Sequence, residues 1–225
     1  MEIIAHRGEW TSAAKRAPNS LAAFNEALSN GFGIEVDIRD RGGDIAISHD
    51  AAGSFSPLLK TLLSTYRENK YDAAIAFNIK ADGLQAPLAA LIKEFEIKNY
   101  FVFDMSVPDT LGYKKAGLNY YARSSEYEPS PQTHLKDLYE TCAGVWVDQF
   151  AMNEAVYKNN LAAVKEYLRQ GKQVCFVSPE LHIWGRENNL METVWRDLKD
   201  IAGGGKIQIC TDYPQRAKEF FNGQN

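Results

Sequence analysis

The chain has 225 residues, 45% hydrophobic and 24% charged, an ordinary globular profile with enough length for one large core. Its formal net charge is −4, its sequence pI is near 5.6, and it has no Lys/Arg run. A general nucleic-acid binder is therefore excluded, while a local cationic pocket for one phosphate remains allowed. Three cysteines, Cys142, Cys175 and Cys210, lie in or beside apolar runs without metal-type spacing, which predicts buried thiols and no disulfide framework.

From Met1 the chain runs directly into a strand-like segment, with no basic region and long apolar stretch of a signal peptide. No apolar run has the length of a membrane span, so a cytoplasmic protein is expected. The β-rich runs, in order, are Ile3–His6, Ile34–Ile38, Ala74–Lys80, Tyr100–Ser106, Asn119–Ser125, Val145–Phe150, Gln173–Ser178 and Lys206–Asp212. Helical stripes fall between them. Leu21, Phe24 and Leu28 follow Pro18-Asn19-Ser20 and precede Gly31, so Asn19 or Ser20 can cap this helix and Gly31 can close it. Leu161, Val164 and Leu168 precede Gly171, and Leu190, Val194 and Leu198 precede the glycines at 203–205. Eight strands alternating with helices predict a single α/β domain over residues 1–225, a (β/α)₈ TIM barrel; an open doubly wound sheet is the alternative.

Chemistry in such a barrel collects at the C-terminal strand ends. His6 and Arg7 end the first strand. In Ile34-Glu35-Val36-Asp37-Ile38, alternation puts both carboxylates on one face, opposite three aliphatics that suit the helix-covered outside. Two carboxylates inside a barrel mouth repel, and burying them unpaired costs several kcal/mol by order of magnitude. They need a cation, either a hard divalent metal such as Mg²⁺ or Ca²⁺ or a basic side chain, Arg7 or Lys80. His49, in Ile47-Ser48-His49-Asp50, gives a second imidazole near the pair, and two histidines can share proton transfer near neutral pH.

His6-Arg7-Gly8, then Asn19-Ser20 before a helix, then Glu35-Val36-Asp37, then His49-Asp50, in that order and spacing, resemble the opening pattern of the glycerophosphodiester phosphodiesterase family. Thr211-Asp212-Tyr213-Pro214 is similar to that family's closing motif. The resemblance implies a barrel hydrolase that cleaves phosphodiesters of glycerol or related alcohols with a divalent cation. It implies His6 and His49 as the acid–base pair, Glu35 and Asp37 as metal ligands and Arg7 as a phosphate contact. Asp50 either orients His49 or serves a turn.

The chain departs from the family pattern in places. The family's acidic third ligand is replaced in Asn78-Ile79-Lys80, where Lys80 matches and Asn78 can offer a carbonyl oxygen without charge. Asp148 and Glu180 are alternative sources of that oxygen, and Asp104 and Arg123 are further polar residues at strand ends. The stretch between His49 and the third run, with a helix at Leu58–Leu63, leaves little room for a capping insertion. Trp184, with His182 in the loop after strand seven, suits a lid or a wall for the substrate alcohol. Two alternatives accompany hydrolysis: a phosphate-ligand-binding barrel with impaired turnover, and a phospholipase D-like or phosphatidylinositol-cleaving lyase that forms a cyclic phosphate.

Overall fold

A computed structural model of the chain describes residues 1–11, 15–128, 130–151, 154–187, 189–202 and 207–223. Lys206 and the glycines at 203–205, read above as a strand start and a helix stop, lie outside the described residues. The chain divides into two compact units, residues 4–120 and residues 1–3 with 121–225.

The first contains most of β1 (Glu2–His6), then α1 (Leu21–Ser29), β2 (Gly33–Arg41), β3 (Asp44–Ile47), α2 (Leu59–Glu68), β4 (Ile75–Ile79), α3 (Gln85–Glu94), β5 (Tyr100–Phe103) and α4 (Val107–Lys115). The second contains β6 (Tyr121–Ser124), α5 (Pro131–His134), α6 (Lys136–Thr141), β7 (Gly144–Val147), α7 (Glu154–Arg169), β8 (Gln173–Val177), α8 (Ile183–Glu187), α9 (Met191–Ile201), β9 (Ile207–Thr211) and α10 (Pro214–Asn222). Within the first unit the strands run in the order β5-β4-β2-β1, with β3 off this path on β2, and within the second they run β9-β8-β7-β6. The alternation of parallel strands with helices is that of the expected (β/α)₈ barrel.

The expected alternation on β2 is realised: Ile34, Val36 and Ile38 are fully buried, and so are Glu35 and Asp37 on the opposite face. In α1, the Ser20 hydroxyl accepts the Ala23 N–H as a cap, while Ala23, Phe24, Ala27 and Leu28 are buried. Burial of Phe24 and Leu28 is worth about 1.5–3 kcal/mol each. Gly31, after the helix, has φ +79°, as its closing role requires.

One strand escaped the sequence reading. β3 pairs antiparallel with the far end of β2, Ile38 opposite Ile47 and Arg41 opposite Asp44. The signal was present in Gly42-Gly43, which turn at φ +56° and +93° in a two-residue hairpin. The hairpin returns the chain so that the Ser48 N–H donates to the Asp37 carbonyl at 3.0 Å, immediately before His49.

Candidate active site

The site lies within residues 4–120 and grows from a turn after β1. Arg7 and Gly8 both have positive φ, +56° and +83°. A Cβ on Gly8 would stand 2.7 Å from the Ala23 carbonyl carbon, so glycine is needed for the conformation and for the close approach of α1. The turn is tied by the Gly8 N–H to the Ala5 carbonyl (3.2 Å) and by the Trp10 indole N–H to the His6 carbonyl (3.1 Å). It aims the Arg7 backbone N–H at Glu35 Oε2, 3.1 Å away.

Register does the rest. His6 stands opposite Glu35 across β1 and β2, and Asp37 stands opposite Asn78 across β2 and β4. His6 Nε2 is 3.9 Å from Glu35 Oε2. Arg7 Nε lies 2.9 Å from Asp37 Oδ2, and Lys80 Nζ lies 3.6 Å from Asp37 Oδ1. Lys80 also donates to Asp104 Oδ2 at 3.1 Å. The basic side chains named as one possible answer to the buried carboxylate pair are thus both engaged, each on Asp37.

Glu35 is different. Its carboxyl is pushed above the ordinary range, first by burial and then by the Asp37 charge; His6, the Asn78 side chain and Arg7 offset this only in part. Among the site's residues, three buried oxygens accept no hydrogen bond: Glu35 Oε1, Asp37 Oδ1 and Asn78 Oδ1. A buried acceptor without a donor is costly, on the order of 1–3 kcal/mol. These orphans belong to the same three residues read as metal ligands, and they are hard oxygens of the kind Mg²⁺ and Ca²⁺ take. The donor set fits such an ion. Among the described residues no group of three or more His, Cys, Asp or Glu side chains is arranged to hold a metal.

His49 follows β3 and is about half exposed, with Nδ1 2.9 Å from Asp50 Oδ1. That hydrogen bond holds the Asp50 carboxyl below its usual range, followed by the His49 charge, with Arg7 and Arg39 adding to the effect. Asp50 thus contacts the ring, the contact that an orienting role needs.

Asn19, which the sequence offers as a helix cap and as part of the family-like pattern, touches the site directly. Its side-chain N–H₂ donates to Asp37 Oδ2 at 2.7 Å, its Oδ1 accepts the Asp37 backbone N–H at 3.4 Å, and its own N–H donates to the Arg7 carbonyl at 3.0 Å. Its φ of +58° makes this triple engagement possible, and Asn tolerates that conformation better than most residues. The only sequence signal was its place in the family-like pattern.

The other candidates lie in the second unit. Trp184 donates its indole N–H to the Gln149 carbonyl at 3.1 Å. Asp148 pairs with His182 at 2.7 Å. Glu180 is buried, with Oε1 accepting from the Thr211 hydroxyl and the Asp212 N–H, and Oε2 from the Ser178 hydroxyl. These donors account for both of its oxygens.

No protein-family model and no curated protein matches the chain. Solved structures do match it. A glycerophosphodiester phosphodiesterase from Agrobacterium tumefaciens is 17% identical, covers 100% of both chains and has a TM-score of 0.67. A glycerophosphoryl diester phosphodiesterase from Parabacteroides distasonis is 13% identical, covers 98% of this chain and 86% of its own, and has a TM-score of 0.68. At these identities the likeness establishes the fold. It agrees with the family that the motifs resemble.

Proposed function

We propose that the chain is a phosphoric diester hydrolase acting on glycerophosphodiesters or related small phosphodiesters, assisted by Mg²⁺ or Ca²⁺ on Glu35, Asp37 and Asn78. The observation that carries this reading is the set of three buried oxygens without a hydrogen bond, beside two cations and an imidazole, on β1, β2 and β4 and just after them. When bound, the ion would polarise the phosphoryl oxygens and neutralise developing charge.

The remaining work falls to the chain's own groups. Arg7 and Lys80 supply donors for the phosphate, Arg7 with a planar fork suited to two oxygens. His6 and His49 divide the proton transfers: one imidazole takes the proton of the attacking water, the other gives one to the leaving alkoxide. Asp50 orients His49, while Asn19 fixes Asp37 in place.

A second reading has its own support. Asp37 is already neutralised by Arg7 and Lys80, so the pocket can hold a phosphate ligand without efficient turnover. Assay of an aryl phosphodiester and of glycerophosphodiesters with Mg²⁺, Ca²⁺ or chelator separates the two. Hydrolysis should be stimulated by metal and abolished by chelator. Glycerol phosphate binding without metal-dependent turnover would replace hydrolysis with the binding reading. Phosphorus NMR of the product should show an acyclic monoester, and a cyclic phosphate would identify a lyase.

A further inference from the structure

The unit of residues 1–3 and 121–225 carries an aromatic cluster in the segments after β6, β7 and β8, Trp184 standing in α8. Tyr127 and Phe150 have ring centroids 6.0 Å apart, and the His182 ring meets Phe150 edge-on at 5.2 Å. The Trp184 ring lies within 8° of parallel to His182, at 6.4 Å. Tyr127 and Phe150 are among the large apolar side chains left exposed. Two rings are held from behind, His182 through Nε2 on Asp148 Oδ1 at 2.7 Å and Trp184 through its N–H on the Gln149 carbonyl. The arrangement is therefore preorganised before any ligand arrives.

Charge decides what it can bind. Glu126 accepts the backbone N–H groups of Phe150 and Ala151, at 3.2 and 2.6 Å. Glu128 pairs with Arg123, and Asp148 stands behind His182. Three carboxylates thus lie in the same segments as the rings, engaged by backbone N–H groups, by the one guanidinium and by the imidazole. That guanidinium itself sits over the Phe150 ring, 5.8 Å from its centroid, so the face already holds a cation. A free phosphate gains nothing from these rings, whereas a cation gains from their π-faces. A compact ammonium such as that of lysine keeps its water; an alkylated one is weakly hydrated and suits an aromatic surface better.

We propose that Tyr127, Phe150, His182 and Trp184 form a binding site for an organic ammonium group, quaternary in preference to primary. The site stands whether or not the chain cleaves phosphodiesters, so its test is a binding measurement. The full chain is titrated with tetramethylammonium, choline and the neutral isostere dimethylbutanol, following the Trp184 indole resonance by NMR. Saturable shifts are expected with both cations and none with the alcohol. Phe150→Leu, which keeps apolar bulk but removes the π-face, should weaken choline binding about tenfold. Tyr127→Ala should weaken it too. Glu35→Gln, in the other unit, should leave it unchanged.

Glycerophosphocholine is titrated beside choline to identify the source of the ammonium. Tighter binding of the diester marks an esterified head group, and equal binding marks the free amine; the proposal requires that both bind. Equal binding of the neutral isostere, an unaltered affinity in both aromatic variants, or loss of binding in Glu35→Gln would overturn it.

Discussion

His6 and His49 carry the same assignment in different surroundings. His6 is mostly buried 3.9 Å from a buried carboxylate, whereas His49 is half exposed and held by Asp50. Loss of a positioned acid or base typically costs about 10²–10⁴-fold in rate. His6→Ala and His49→Ala should each lower turnover by that order with unchanged thermal melts; a variant with near wild-type turnover has lost its claim to the role. Asn78 poses the complementary test. Asn78→Glu adds a third anionic oxygen, so calorimetric titration should show tighter Mg²⁺ and Ca²⁺ binding. Unchanged or weaker affinity would mean that Asn78 does not serve the ion. Glu180 links burial to pH. Burial raises its carboxyl above the ordinary 4.5, against the opposing effect of the Ser178 and Thr211 hydroxyls. The folded chain then keeps a proton that the unfolded chain has released. Its contribution to stability is present below about pH 4.5 and is lost as pH rises through the folded-state value. Melts from pH 4.5 upward should show Glu180→Gln gaining on the wild type as pH rises, and a constant gap would refute the shift.

At the scale of elements, the β2–β3 hairpin ties Ser48, the residue before the half-exposed His49, to the backbone of Asp37. Gly43 has φ +93°, and nothing lies within 4 Å of a Cβ added to it, so conformation rather than space requires glycine. A β-branched residue there strains the turn by about 1–2 kcal/mol. Gly43→Val should lower Tm by several degrees, since about 1 kcal/mol moves a domain of this size by roughly 2–4 °C. It should also reduce turnover by displacing His49, with choline binding at the aromatic cluster unaltered. A lower Tm with full turnover would detach the hairpin from catalysis. The hairpin also explains how the chain uses the stretch before β4. The loop after β3 and α2 fill residues 48–68, and no inserted subdomain occurs there.

Across the whole molecule, all three cysteines are free and buried, Cys175 and Cys210 completely. Burial also raises the Cys142 thiol, which suppresses its thiolate. A thiol reagent should therefore label none of them in the folded chain and all of them in denaturant, with Tm the same with or without reductant. Rapid native labelling at any one would show local opening around that strand or helix end. Among the described residues no helix is long and apolar enough to cross a membrane.

Much was legible in the chain itself, because periodicity is local. The alternation in Ile34–Ile38 placed Glu35 and Asp37 on one face, the stripe after Ser20 marked α1, and the eight parallel strands could be located within a few residues. The family-like motifs named His6, Arg7, Glu35, Asp37, Asn78 and Lys80, and the structure brings these six together. Three things required tertiary structure. Whether Arg7 and Lys80 reach Asp37 depends on distances across strands distant in sequence. Asn19 enters the site through a left-handed backbone and a register no local pattern encodes. The aromatic cluster joins rings from three separate segments, and only the parallel alignment of β6, β7 and β8 carries those segments to one end of the sheet.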